Sequence, residues 1–291
     1  MTAPTVPAIA RRPTATAEFD RHRMWIVARN ELRQLAQSKD YWIPMVLLGS
    51  LFFVVIPGIL LLTITRIGNI SMVQQASQAL QILPEAAQSK IQGSNPQGRT
   101  AYALAVYLFA PVAVVVPLTI STAVGAASLV GERERGTGEF LAHSPASVRE
   151  IYLGKLFASF VPGYRTTLVG FGSYALMVNL LVGPKVGGWF FPTPEWLVMM
   201  FWIIPPFLLL TLSLVLRLSA KVKSTAAAQQ ASGLITLPLI GIAYAQASGT
   251  LMGTSSLTGW IVGAVAWLLA VISLHRGVRS VTRNRLLGVA Q

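Results

Sequence analysis

Residues 43–65 read IPMVLLGSLFFVVIPGILLLTIT, twenty-three positions without one ionisable side chain. A helix of that length is about 35 Å long at 1.5 Å per residue, enough to cross a hydrocarbon layer of about 30 Å. A helix of the same length on a soluble protein would carry a polar stripe facing water. Ser50, Thr63 and Thr65 do not make one. The stretch therefore predicts a transmembrane helix.

Outward from it the same pattern recurs. Residues 102–130 and 196–216 carry no charge, and 156–182 is interrupted by Arg165 alone. The uncharged stretch from Ser224 to Leu274 is too long for one crossing. Its middle, from Ser248-Gly249-Thr250 through Gly253-Thr254-Ser255-Ser256, has a turn composition that divides it into 225–247 and 259–274. Six spans result. Composition agrees: of 291 residues 53% are apolar and 11% charged, with a mean hydropathy of +0.59, against about 25% charged in soluble proteins.

Loop charges orient the spans. Eighteen Lys and Arg fall before Ile43, between spans 2 and 3, between spans 4 and 5, and after Leu274, whereas the opposite segments hold four, Arg66, Lys90, Arg99 and Lys185. Positive charge collects on the cytoplasmic side, so both termini are expected there, as an even number of crossings requires. The expected fold is all-α: a cytoplasmic disordered tail over 1–18, an amphipathic interface helix over 19–40, a six-helix transmembrane domain over 41–275 and a basic cytoplasmic tail over 276–291. Arg11-Arg12 does not read as an export signal, because Pro13 to Asp20 is polar where an apolar run should follow.

Within 19–40, Met24, Trp25, Ala28, Leu32, Leu35 and Ala36 share one helical face, with Arg29, Asn30, Arg33 and Gln37 opposite; Ile26 and Glu31 break the pattern. Such a helix belongs in the inner interface, Trp25 at headgroup depth and its arginines toward anionic lipid. On the other side, Met72, Val73, Ala76, Leu80 and Leu83 have near-helical spacing, which predicts a short helix resting on the outer leaflet. Prolines 44, 57, 111, 117, 205, 206 and 238 punctuate the spans, each removing a backbone donor, as static kinks or as hinges.

Several chemistries are excluded. A net charge of +13 raises the question of nucleic acid, but the basic residues sit between apolar spans without interleaved aromatics for base stacking. Cysteine is absent, which removes thiol catalysis and disulfides. His22, His143 and His275 are too scattered to converge on a metal. No phosphate loop of the form G-x-x-x-x-G-K-[ST] is present, since Gly154-Lys155 is followed by Leu156 and lacks the preceding glycine.

The segment between spans 2 and 3 stands apart. Gly131-Glu132-Arg133-Glu134-Arg135-Gly136-Thr137-Gly138-Glu139-Phe140 precedes His143-Ser144-Pro145, and four of the ten acidic residues lie between 132 and 150. Ser147 and Glu150 have capping-box spacing, which predicts a helix start leading through Gly154-Lys155 into span 3. Acids that break an otherwise basic face point to a protein contact rather than a lipid contact.

At this segment the chain resembles the permeases of type-2 ABC transporters, whose pattern E-x-E-x-G-T-x-E, an apolar pair, a Pro and then a Gly-Lys is matched by Glu132, Glu134, Gly136, Thr137, Glu139, Pro145, Gly154 and Lys155. Asn30-Glu31-Leu32-Arg33 is similar to the early E-L-R of the same family, and the resemblance extends from residue 19 onward. Gly138, where an apolar residue is common, and Pro162-Gly163 within span 3 depart from the pattern. The resemblance implies a segment that couples to an ATPase, comprising Glu132, Glu134, Gly136, Thr137, Glu139 and Pro145, with the three glutamates in polar contacts, Gly136 at a tight bend and Pro145 opening the following turn. It also implies a permease that is not itself an enzyme and holds no cofactor, ATP being hydrolysed on a partner ABC ATPase subunit. A second permease copy or paralogue would complete the path of an exporter in the plasma membrane. An ion-coupled carrier is disfavoured because the spans lack acids to hold the ion. An intramembrane enzyme is disfavoured because no Asp follows Asp40 and no Ser–His pairing is evident. Arg165, the ionisable residue inside a span, reads either as a lining or gating group of the translocation path or as a snorkelling side chain at the inner headgroups.

Overall fold

The computed structural model describes residues 19–67, 78, 83, 85–134, 144–219 and 256–280, with the backbone alone at 67, 86, 127–134, 219, 256 and 280. The N-terminal tail, the expected crossing over 225–247 with Pro238, the turn that follows it, and residues 281–291 lie outside the described residues, as does most of the expected outer-leaflet helix around Met72–Leu80. Among the described residues every regular element is helical, in accord with the all-α class.

The chain opens with α1 (Arg21–Gln37), capped by Asp20, whose Oδ1 accepts from the His22 N–H at 2.8 Å. Ser38 breaks the helix, and α2 (Lys39–Ser50) leads through a π turn at Leu51–Val55 into α3 (Ile56–Leu62). A short α4 (Glu85–Gln88) precedes α5 (Pro96–Ala103), a π turn at Leu104–Leu108 and the long α6 (Ala110–Glu134). The longest of the described helices, α7 (Val148–Leu181), is followed by α8 (Gly183–Val186), α9 (Pro194–Val198), a π turn at Met199–Ile203, α10 (Ile204–Ser219) and α11 (Ser256–Ser280). The last takes in residues 276–280 of the region expected as a basic tail.

Among the described residues four continuous helical stretches are long and apolar enough to cross a membrane: Lys39–Arg66, Pro96–Ala126, Pro194–Leu218 and Leu257–Arg279. The 34 residues of α7 would measure about 51 Å, but Arg165, Asn179 and a polar first third dilute its apolar content. Pro162-Gly163 does not interrupt this helix. Gly163 is instead a crossing point with α6: a Cβ there would stand 2.7 Å from the Pro117 carbonyl, so only glycine permits the approach. Close packing through small residues replaces the hydrophobic drive that lipid cannot supply.

Central to the bundle, α7 packs against α1, α2, α3, α6, α10 and α11. Outward faces are apolar and bare: Leu47 and Ile59 on α2 and α3 are 60% and 63% exposed, and Leu257 and Leu268 on α11 are 64% and 61% exposed. Water would penalise such stripes, whereas lipid solvates them.

At the end of the bundle away from α1, aromatic residues lock the helices. Trp196 stacks on Phe171 and Tyr174 with centroids 5.8 and 5.7 Å apart, and Phe191 meets Trp196 edge-on at 4.9 Å. Their polar tips are used: Tyr174 donates to the Ala105 carbonyl at 2.6 Å and Trp196 Nε1 to the Val106 carbonyl at 2.9 Å, both acceptors on the Leu104–Leu108 π turn. Buried Asn179 donates to the carbonyls of Ala175 and Phe191 and accepts from the N–H groups of Phe190 and Phe191 at 3.0 and 3.1 Å. Replacing it by leucine strands those backbone groups, at a cost of about 1–3 kcal/mol. Asn179→Leu should therefore lower the unfolding midpoint in detergent clearly, while Leu180→Ala, on the 61% exposed neighbour, should shift stability by no more than about 0.5 kcal/mol.

Candidate functional site

Helix α1 lies along the first third of α7, and the fit is set by a glycine and a charge. A Cβ on Gly154 would stand 2.9 Å from Val27 Cβ and 3.0 Å from the Met24 carbonyl, so the helices touch backbone to side chain there. One residue on, Lys155 is fully buried, and its Nζ donates to Glu31 Oε1 on α1. Glu31, which breaks the apolar face in sequence, is on the packed face. That face runs Met24, Val27, Ala28, Glu31, Leu32 and Leu35, a 3.6-residue pattern containing one paired charge. Trp25, at 47% exposed, rims the contact with its ring 5.6 Å from that of Phe157.

The helix starts are tied as well. Ser147 and Glu150 form the capping box that their spacing predicts, the Ser147 N–H donating to Glu150 Oε2 at 2.7 Å and the Glu150 N–H to Ser147 Oγ at 3.3 Å. The other oxygen, Oε1, accepts from the Asp20 N–H at 2.8 Å, so one fully buried carboxylate serves the first residues of both helices. Arg23 Nη1 donates to the Pro145 carbonyl at 3.2 Å and its Nε faces Asp20 Oδ2 at 3.5 Å. Deeper along α7, the Tyr152 hydroxyl donates to Ser213 Oγ at 2.9 Å, and Ser273 Oγ lies 3.0 Å from the same oxygen, joining α7, α10 and α11.

These contacts define where the acidic segment is held. Glu132 and Glu134 belong to the last turn of α6, whose backbone is helical through Glu134. Pro145 lies in the bend before α7 and is bound by Arg23. Gly136, Thr137 and Glu139 lie outside the described residues, as does His143.

Arg165 is exposed and lines a cleft of about 870 Å³ bounded by α1, α2, α6 and α7, together with Arg29, Arg33 and Asp40. The remaining wall is mainly apolar, including Ile120, Val161 and Val169. The structure thus joins Arg165 to the arginines of α1, a convergence that sequence reading missed because residues 29 and 165 are distant in the chain. The Glu31–Lys155 pair was also missed. Its signal is present: each residue breaks an apolar helical pattern, and the two carry opposite signs.

Lys155 is more deeply buried than Glu31, whose side chain is 18% exposed, so removing the carboxylate should hurt more than removing the amine. Glu31→Gln is expected to cost up to about 3–5 kcal/mol by taking the carboxylate charge away from a buried ammonium, Lys155→Met less, and Glu31→Leu with Lys155→Met together should recover most of the loss. Thermal unfolding of the three variants in detergent checks this; strictly additive losses would show that the pair is not coupled.

Comparison with known proteins bears on what this junction serves. A search of curated proteins returns no match. The family model described as ABC-2 family transporter protein matches residues 25–257, a span that begins within α1, takes in the acidic segment and the cleft, and ends at the start of α11. A match over more than half of the chain shows that this multi-pass membrane protein belongs to the ABC-2 transporter family, whose members are the membrane-embedded transport subunits.

Proposed function

We propose that the chain is the permease of an ATP-driven exporter in the plasma membrane, with six crossings, both termini cytoplasmic, and ATP hydrolysed on a separate ABC ATPase subunit. The eighteen-to-four bias of Lys and Arg supports the orientation. A second permease copy or paralogue would supply the other wall of the path, and the bare apolar faces of α2, α3 and α11 leave room for it beside lipid.

One observation carries the coupling role: the segment from Glu132 to Pro145 enters a helix start tied to its neighbours. Its far end is held by Arg23 on the Pro145 carbonyl, by Glu150 shared between α1 and α7, and by the buried Glu31–Lys155 pair one turn later. Its near end is the last turn of α6. A partner gripping Glu132, Glu134 and Glu139, with Gly136 at the bend, would pull on α6, α7 and α1 together, and the cleft that holds Arg165 lies among those three helices and α2. Mainly apolar walls beyond the arginines and Asp40 favour a hydrophobic or amphipathic cargo.

Replacing Glu132, Glu134 and Glu139 together by Gln should leave membrane insertion intact and weaken ATPase association by about tenfold or more, equivalent to about 1.4 kcal/mol. Co-purification and stimulated ATP hydrolysis in vesicles are the readouts. An ATPase that still co-purifies with the triple variant and is stimulated normally would overturn the docking assignment.

A further inference from the structure

The cleft beside α1 combines two features that rarely share a wall. Arg29 and Arg33, one helical turn apart on α1, and Arg165 from α7 all line it, against Asp40 as the single carboxylate among its lining residues. All three arginines are exposed, and none belongs to an ion pair among the described residues. The rest of the wall is mainly apolar. Guanidinium groups are forks that match phosphate oxygens two at a time. An unpaired set of three beside aliphatic side chains therefore suits a ligand with an anionic phosphate at one end and hydrocarbon at the other.

We infer that the cleft is a binding site for an anionic glycerophospholipid of the inner leaflet. Its phosphate is held by Arg29, Arg33 and Arg165, and the upper part of one acyl chain lies along Ile120, Val161 and Val169. Location supports a lipid over a soluble anion: the cleft sits at the elbow between the interface helix and the first apolar span, and Arg165 of α7 lines it together with the arginines of α1. At about 870 Å³ the cleft is the size of a small-molecule site, so it takes the headgroup region and leaves the remaining chain in the bilayer. Anionic lipid attracts juxtamembrane basic residues in general; here two surface arginines and one span arginine converge on one pocket, which makes the contact a site rather than a field. The inference needs membrane burial and an inward-facing α1, and it stands whether or not the acidic segment docks an ATPase.

The test uses the purified full-length protein in a non-ionic detergent, with thermal unfolding followed in mixed micelles of phosphatidylglycerol, in mixed micelles of phosphatidylcholine, and with inorganic phosphate alone. Phosphatidylglycerol should raise the midpoint by about 5 °C, as a ligand present well above its dissociation constant does, while phosphatidylcholine and free phosphate should not. Native mass spectrometry should find one retained phosphatidylglycerol. R165Q should lose both effects. R29Q/R33Q, changed only at exposed positions of α1, should lose them without disturbing the packed face, which keeps the test decisive if R165Q fails to fold. R276Q, on α11 and outside the cleft, should keep both. An equal rise with phosphatidylcholine, a full rise with inorganic phosphate, or a bound lipid retained in R29Q/R33Q would overturn the assignment.

Discussion

A lysine ammonium with no exposure cannot be left alone in this bundle. Desolvating Lys155 costs several kcal/mol, which its partner and geometry must offset. Glu31 is that partner, and it sits on another helix. Helix α1 is therefore held to α7 by more than apolar contact: lifting it away would separate the buried amine from the Glu31 carboxylate. The pair also fixes the rotation of α1 about its axis. With Glu31, Val27 and Met24 turned to Gly154 and Lys155, Arg29 and Arg33 are carried round to the cleft where Arg165 lies. One ion pair thus sets both the packing of the interface helix and the electrostatics of the pocket beside it.

Proline supplies the second constraint. Three π turns end two or three residues before a proline: Leu51–Val55 before Pro57, Leu104–Leu108 before Pro111, and Met199–Ile203 before Pro205-Pro206. In each case the carbonyl four residues before the proline, on Phe53, Tyr107 and Phe201, falls inside the π turn. A proline ring clashes with that carbonyl and offers it no donor. Widening the turn by one residue relieves the clash and keeps the backbone bonded inside a layer where water cannot help. Nearby carbonyls of the Leu104–Leu108 turn find side-chain donors in Tyr174 and Trp196. Pro117 and Pro162 lie inside α6 and α7, and the region where the two helices meet through Gly163 includes both.

The sequence made the helical class, the uncharged stretches and the start of α7 legible, because each rests on local pattern: length without charge, and a serine three residues before a glutamate. The capping box at Ser147 and Glu150 formed as its spacing predicts. What could not be read was pairwise and distant. Glu31 looked like a flaw in an amphipathic face because its partner is 124 positions away, and Pro162-Gly163 looked like a break because composition does not reveal that α6 fills the notch. Arg165 had two readings, path or interface, since neither periodicity nor charge count says which helices stand opposite. Its place in a cleft with Arg29 and Arg33 needs the tertiary fold.

The two ends of α7 are bonded in different currencies, and this shapes how the helix can respond to load. Toward Leu181 it is held by stacked rings and by Asn179, whose four hydrogen bonds all go to backbone groups. Toward Val148 it is held by charge, through Glu150 and Lys155, to α1. Between them lie Pro162, which donates no hydrogen bond to the Ala158 carbonyl, and Gly163, which has no side chain to wedge against α6. Resistance to bending is lowest where a ladder bond is missing. A displacement entering at the Val148 end is passed rigidly to α1, and it meets its weakest backbone point beside the cleft that Pro162 and Arg165 both line.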